Sequence, residues 1–298
     1  MTIQAVSKPR HRIRESLSRR IFLKLNVVIL LFLCFLMLYP VVYVIAASFS
    51  EETAILRGDV AFLPVGFHTK AYSKVFNYPQ LWTSYRNTVV YTLLGTAVNL
   101  LLTVCGAWAL SQKKMPGRRF LTLMCTFTMF FSGGMIPTFL VVKELKLLNT
   151  VWAMILPGAV STYNMILMRT FFLAIPTSLV EAAELDGCTD FGILFRIVLP
   201  LSLASLMTIG MFYAVGHWNS YFSAVIYLSK AEMYPLQIVL RQVVLMNEIV
   251  ENATSTENNM AEGIKYATIV VAMLPMLCIY PFIQRYFVKG VMVGALKG

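Results

Sequence analysis

Charge is what this sequence has least of. Charged residues fill 13% of its 298 positions and hydrophobic residues 58%, whereas a soluble domain carries about 25% charged and about 45–50% apolar. No soluble core absorbs that excess. Cysteine is sparse too: Cys34, Cys105, Cys125, Cys188 and Cys278 are the only five, four inside apolar blocks and none in an external segment, which argues against a disulfide framework. No G-x-x-x-x-G-K-[ST] phosphate loop occurs, so the chain is not expected to bind ATP itself. His217 has no Cys or His companion at ligand spacing, which speaks against a metal. The seventeen methionines are scattered through apolar blocks and read as packing residues, not a copper path.

What the sequence does have is long apolar runs. A bilayer core demands about 20 apolar residues in helical form, because unpaired backbone groups are too costly in hydrocarbon. Six segments qualify: Leu25 to Ala47, Tyr85 to Leu110, Phe120 to Val142, Val151 to Leu173, Val198 to Leu228 and Tyr266 to Val288. The third holds Gly133, Gly134 and Pro137 and the fifth is longer than a span requires, so both are candidates to bend or break. This divides the chain into a basic N-terminal tail (1–24), a six-helix membrane domain (25–288) and a short C-terminal tail (289–298).

Placing both termini in the cytoplasm sorts the charges. The inside segments then hold 16 Lys or Arg against five acids, and the outside segments nine of each sign. That is the asymmetry of the positive-inside rule, and it assigns the whole net charge of +11 to topology, leaving no call for a nucleic-acid partner. The first apolar run exceeds the 7–15 residues of a signal peptide's apolar core, and no small-residue cleavage site follows it, so it is expected to stay as an anchor.

Between the fourth and fifth spans lies a polar-decorated cytoplasmic segment, 175–200. Ser178 and Glu181 have the spacing of a capping box, which would start a first short helix at Ser178. Gly187 suits a left-handed C-terminal cap, Asp190 an N-cap for a second helix, and Pro200 the opening of the next span. A helix this short is unstable alone in water and needs something to dock into. Its polar positions, Glu181, Glu184, Asp186 and Asp190, would be repelled by anionic lipid, which favours a protein partner over a lipid surface.

Glu181-Ala182-Ala183, then Asp186-Gly187, then Ile197-x-Leu199-Pro200 resembles the EAA loop of bacterial ABC importer permeases. Gly133 to Thr138, Leu147 to Ala153, Trp218 to Phe222 and the terminal stretch Gly290 to Gly298 resemble the maltose-permease-like carbohydrate branch, within it the polysaccharide type. Leu203-Ala204 departs from the Lys-Pro pair that often follows such a loop, which implies a less kinked start to the fifth span.

The resemblance implies an all-α integral membrane protein of six transmembrane helices with type I importer architecture, multi-pass in the bacterial cytoplasmic membrane. It implies a transport subunit and not an enzyme, with no cofactor in this chain and ATP and Mg in a separate ATPase. The implied partners are a second homologous permease subunit in a heterodimer, two ATP-binding subunits, an extracytoplasmic sugar-binding protein and membrane lipid. Glu181, Ala182, Ala183, Asp186 and Gly187 would form the ATPase-coupling contact. The external segment 229–265, with Glu248, Glu251, Glu257 and Glu262, would face the binding protein, and Lys289 to Gly298 would lie against the ATPase.

The alternative is an ion- or proton-coupled secondary transporter. Such proteins keep ionisable groups near the midplane, yet no Asp or Glu falls in any of the six spans and no inverted repeat is evident. Candidates to line an oligosaccharide path are Tyr163 and Asn164 in the fourth span and His217, Trp218 and Asn219 in the fifth. Ser, Thr, Asn and His also hold helices together in membranes, and Trp and Tyr anchor at interfaces, so packing stands beside pathway as a reading for each. Asn87 and Asn99 are read as helix-holding residues.

Overall fold

The computed structural model describes residues 16–251 and 261–295, with side chains over 16–245, 262–281 and at Gln284. Residues 1–15, Glu257 and Lys297, singled out above, lie outside the described residues, as do the side chains of Glu248 and Glu251. All regular structure described is helical. In chain order the helices are α1 (Leu17–Ser48), α2 (Glu52–Arg57), α3 (Lys70–Phe76), α4 (Pro79–Ser111), α5 (Arg118–Phe130), α6 (Met135–Glu144) and α7 (Val151–Gly158). They continue as α8 (Thr162–Leu173), α9 (Thr177–Leu185), α10 (Asp190–Leu201), α11 (Leu203–Trp218), α12 (Tyr221–Tyr227), α13 (Leu236–Glu251) and α14 (Ala261–Ala295).

Three helices are long and apolar enough to cross a bilayer unbroken: α1, α4 and the Glu262–Pro281 part of α14, with mean hydropathies of 2.8, 1.8 and 1.7. Three further spans are bent pairs, α5 with α6 (113°), α7 with α8 (58°) and α10 with α11 (87°). The first bend falls at the expected Gly133-Gly134 break.

The central helix α4 shows how the bundle is built. Its buried positions, among them Ser84, Thr88, Gly95, Asn99, Thr103 and Ala107, recur every three to four residues along one stripe. They are small or polar, while Leu93, Leu94, Leu101 and Leu102 face outward. Lipid tails are as apolar as leucine, so leucine gains nothing by turning inward, and small residues instead let neighbouring backbones approach. Helix α11 packs on this stripe through Ser205, Thr208, Ile209, Tyr213 and His217. By contrast the first turns of α1 stand clear of the rest of the described chain, and only Ala46, Ala47 and Ser48 at its C-terminal end are buried.

Several expected boundaries move. Helix α1 begins at Leu17, capped by Ser16, whose Oγ accepts from Arg19 N at 3.4 Å, so Arg19, Arg20 and Lys24 belong to the helix and not to a tail. At the other end α14 runs to Ala295, past the expected tail boundary at 289. The fifth span starts and ends earlier than expected: it is the bent pair α10 and α11, Asp190–Leu201 with Leu203–Trp218, and the chain breaks at Asn219-Ser220 before α12.

The start of that span is sharply bent despite the absence of a Lys-Pro pair, because the bend precedes that position. Pro200 has no N–H to donate to the carbonyl four residues back, and a wide π turn over Leu194–Val198 runs into it. The chain then folds over at Ser202, whose N–H donates to Val198 O at 2.9 Å and Leu199 O at 3.1 Å. Pro200 thus stands at the bend between α10 and α11. The described part of segment 229–265 is largely helical, with α13 seated on α14 and α4 through Leu236, Ile238 and Val239. All five cysteines are free.

Candidate transport pathway and coupling loop

The elbow between α7 and α8 opens a cavity of about 640 Å³ beside α4 and α11. Asn99, Ser161, Asn164, Tyr213, His217 and Asn219 supply polar groups to its wall, and no lining residue carries a formal charge. The seam behind it is hydrogen-bonded across three helices. Asn99 Nδ2 lies 3.0 Å from His217 Nε2 and 3.5 Å from the Gly158 carbonyl. The Asn99 amide thus bridges the Gly158 carbonyl and the His217 ring. Thr103 Oγ1 and Tyr213 OH share a hydrogen bond of 2.7 Å, and Ser161 N donates to Tyr213 OH at 3.0 Å. Ser161 in turn caps α8, its Oγ accepting from Asn164 N at 3.4 Å.

Gly95 makes this approach of α4 and α11 feasible. A Cβ there would sit 2.5 Å from His217 Nε2 and 2.6 Å from Cε1, inside any tolerable contact.

The structure brings three of the five pathway candidates, Asn164, His217 and Asn219, to one cavity wall. Trp218 points the other way, buried in a cluster with Leu81, Leu236 and Val271 and edge-on to Tyr85 at 5.9 Å. It is a packing residue, since adjacent positions on a helix face about 100° apart. Tyr163 is exposed and lines a neighbouring open hollow with Phe131 and Thr162, joined to the main cavity through Ser161. Asn99 and Tyr213 are the residues sequence reasoning missed. Asn99 was read only as a helix-holding group, which it also is, and Tyr213 lies one turn before His217, a spacing that puts both on one face. Asn87 does hold elements together, donating to the carbonyls of Glu232 at 2.7 Å and Tyr234 at 3.2 Å.

On the opposite side of the bundle from the α12–α13 connection, α9 and α10 form the 175–200 loop. Helix α9 starts at Thr177 behind Pro176, and no side chain caps it. The capping box expected from Ser178 and Glu181 is not formed: Pro176 sets the helix start one residue early and carries Ser178 inside the first turn. Thr189, not Asp190, caps α10, its Oγ1 accepting from Gly192 N at 3.2 Å, and Asp190 follows in the first turn, where the helix dipole favours an acid.

The C-terminal cap of α9 is as expected. Gly187 has φ +77°, its N–H donates to Glu184 O at 3.1 Å, and Cys188 N donates to Ala183 O at 3.0 Å, the two bonds of a Schellman motif.

The faces of α9 are unequal. Ala183 is buried against α10, while Glu181 and Glu184 border a crevice opposite Lys113 and Lys114. Lys114 Nζ donates to Glu184 Oε2 at 2.8 Å. That hydrogen bond and the Glu184 charge, with Glu181 and Asp190 further off, hold the Lys114 ammonium above the ordinary lysine range. The remaining face shows Ala182 and Leu185 to solvent, and Leu185 is 89% exposed, more than any other large apolar side chain described.

Comparison with known proteins agrees with this architecture. The family model described as "Binding-protein-dependent transport system inner membrane component" matches residues 81–293. The chain is 42% identical to the polygalacturonan/rhamnogalacturonan transport system permease protein YtcP of Bacillus subtilis, over 95% of this chain and all of that one. It is 40% identical to protein LplC of the same organism, over 97% and 99% of the two chains. Among solved structures, a chain of a bacterial ABC transporter importing the acidic polysaccharide alginate superposes with a TM-score of 0.85 at 37% identity, covering 92% of this chain and 99% of that one. A chain of an alginate transporter in complex with a pentasaccharide-bound periplasmic protein shares the fold, with a TM-score of 0.59 at 14% identity over 90% and 94%. With the family model spanning more than half its length, this chain belongs to the binding-protein-dependent transport system inner membrane components, the multi-pass permease subunits of ABC transporters.

Proposed function

We propose that this permease moves an oligosaccharide into the cytoplasm, with both termini on the cytoplasmic side, by alternating access driven from separate ATP-binding subunits. The cavity around His217 forms part of the path. Its wall of hydroxyls, amides and an imidazole suits the hydroxyl groups of a sugar, and relatives are named for polygalacturonan, rhamnogalacturonan and arabinooligosaccharide transport. A second, related permease subunit faces this chain, two ATPase subunits hold the ATP and Mg, and an extracytoplasmic binding protein delivers the sugar.

The observation that carries the reading is α9: a nine-residue helix closed by Gly187, presenting Leu185 and Ala182 outward with nothing among the described residues to cover them. A helix of this length has too few internal bonds to persist alone, and an exposed leucine flanked by Asp186 suits a cleft in a protein partner. Glu181, Ala182, Ala183, Asp186 and Gly187 form the coupling element. Ala182 makes contact, Ala183 supports it from beneath, and Gly187 aims the helix.

Crosslinking tests this directly. Leu185→Cys, in a chain whose five native cysteines are replaced, should crosslink to the ATPase subunit in the assembled importer, with a yield that changes on adding ATP. An active assembly giving no ATPase crosslink from Leu185→Cys, but crosslinking from an outer-face control such as Lys230→Cys, would refute the docking assignment.

A further inference from the structure

The ion pair beneath the coupling helix has a role that the family resemblance does not supply. Helix α9 does not lie flat on the bundle: a crevice of about 200 Å³ separates its Thr177–Glu184 face from the cytoplasmic end of α4. That end of α4 is tied to α8: Arg169 Nε on α8 donates to Leu110 O at 2.9 Å, and Trp108 meets Phe172 edge-on at 6.2 Å in the crevice wall.

Lys114 lies three residues beyond α4, in the short connection to α5, and reaches back across the crevice to Glu184. Below it, α9 is attached through Ala183 and Val180 to the cluster that contains Ile193 and Leu194 of α10. That cluster also takes in Trp108 and Leu110 of α4, so α9 shares an apolar footing with α4, the helix that carries Asn99, and Lys114–Glu184 adds a charged link across the crevice.

We propose that Lys114 is a positioning residue for coupling, which through Glu184 ties the movement of α9 to α4 and so to the Asn99–His217 seam. The inference rests on the coupling reading of α9 given above. Both partners are solvent-exposed, with side-chain exposures of 85% and 37%, so the link contributes little to folding. Its value is directional: Glu184 has no second cation placed to replace Lys114 in the crevice except Lys113, one residue away and not bonded to it.

The test uses the complete importer reconstituted in vesicles and reads substrate molecules imported per ATP hydrolysed. Lys114→Glu sets like charges against Glu184, Glu181 and Asp190, and Glu184→Lys sets two cations together. Each reversal should lower the ratio about fivefold, the upper end for an exposed pair, and the double swap should return it to within about twofold of the parent. Where a single reversal reduces assembly with the ATPase, the same rescue should appear in the assembled yield.

Single reversals that leave the ratio unchanged, or a double swap no better than either single, would overturn the proposal. Gly187→Val serves as the control for the reading beneath it. If that variant is uncoupled while the Lys114 variants are not, only the positioning role of Lys114 fails. If Gly187→Val is fully coupled, the assignment of α9 itself fails.

Discussion

Around Asn99 and His217, polar side chains from three helices bond one another inside the bundle, at positions the surrounding lipid cannot satisfy. Around Lys114 and Glu184, charged side chains meet in open water, where solvent would satisfy either one alone. In the first region each bond replaces nothing better, so geometry is fixed by mutual need: Gly95 is bare, Asn99 faces the His217 ring, and Tyr213 serves both Thr103 and Ser161. In the second region the energy per contact is small, and backbone devices do the fixing. The Gly187 cap, the Thr189 cap and the Ser202 bend set where α9 and α10 point. Substitutions in the seam should therefore damage folding and transport together, whereas substitutions in the loop should spare folding and damage coupling.

The largest effect is expected at Gly95. In Gly95→Ala the new methyl group overlaps the His217 ring, and overpacking of this kind costs about 1–3 kcal/mol. Thermal unfolding of the detergent-solubilised complex should shift down, with uptake lost in parallel; an unchanged melting temperature would mean α4 and α11 are not held as described. Asn99→Ala comes next. It removes the donor facing His217 Nε2 and leaves that nitrogen buried, at a cost of about 1–3 kcal/mol, so Asn99→Ala should be clearly less stable than Asn87→Ala at the exposed outer end.

Thr103→Val should be milder. Tyr213 OH keeps its bond from Ser161 N, and single interhelical bonds in membranes average about 0.6 kcal/mol, a shift that the same melting measurement would resolve against Asn99→Ala. The smallest effect concerns pH and salt at Lys114. Its ammonium is held above the ordinary value of 10.5, so the pair's contribution is fully present below that value and is lost only as pH rises past it. The alkaline limb of coupling should be flat from neutrality to about pH 9. Added salt should weaken coupling modestly, through screening of an exposed pair, and a variant with alanine at both 114 and 184 should lose that salt dependence.

Much of this division is legible in the sequence, for stated reasons. Apolar run length and charge sidedness give the number of spans, because the bilayer imposes a minimum length on every helix. The glycine at 187 gives the loop's turn, because few other residues take that conformation cheaply. The Ser178 capping box fails because Pro176 fixes an earlier start, and two adjacent signals for one helix end cannot both operate.

The facing of Trp218 and His217 is not legible either. A one-residue step changes direction by about 100°, and only packing against Tyr85 on one side and Asn99 on the other shows which residue turns toward the cavity. The polar stripe of α4 was open to discovery: Ser84, Thr88, Asn99 and Thr103 at three- to four-residue steps within an apolar run mark an inward face. Reading Asn99 pairwise with Asn87, instead of along that stripe, hid its place on the cavity wall.

The central claim, that α9 is a coupling element aimed by its C-terminal glycine, is tested most directly at Gly187. A Cβ at that position meets nothing within 4 Å, so the branch point of a Gly187→Val side chain has room and the substitution acts first on the backbone, which sits at φ +77°. A non-glycine residue there costs about 1–2 kcal/mol, more for a β-branched one, and the cheapest relief is to reorient the end of α9. Substrate-stimulated ATP hydrolysis and uptake, measured on the same reconstituted preparation, should separate in this variant, with uptake falling at least several-fold while membrane insertion and the melting temperature stay near the parent. Normal uptake with normal stimulation of hydrolysis by substrate would contradict the account.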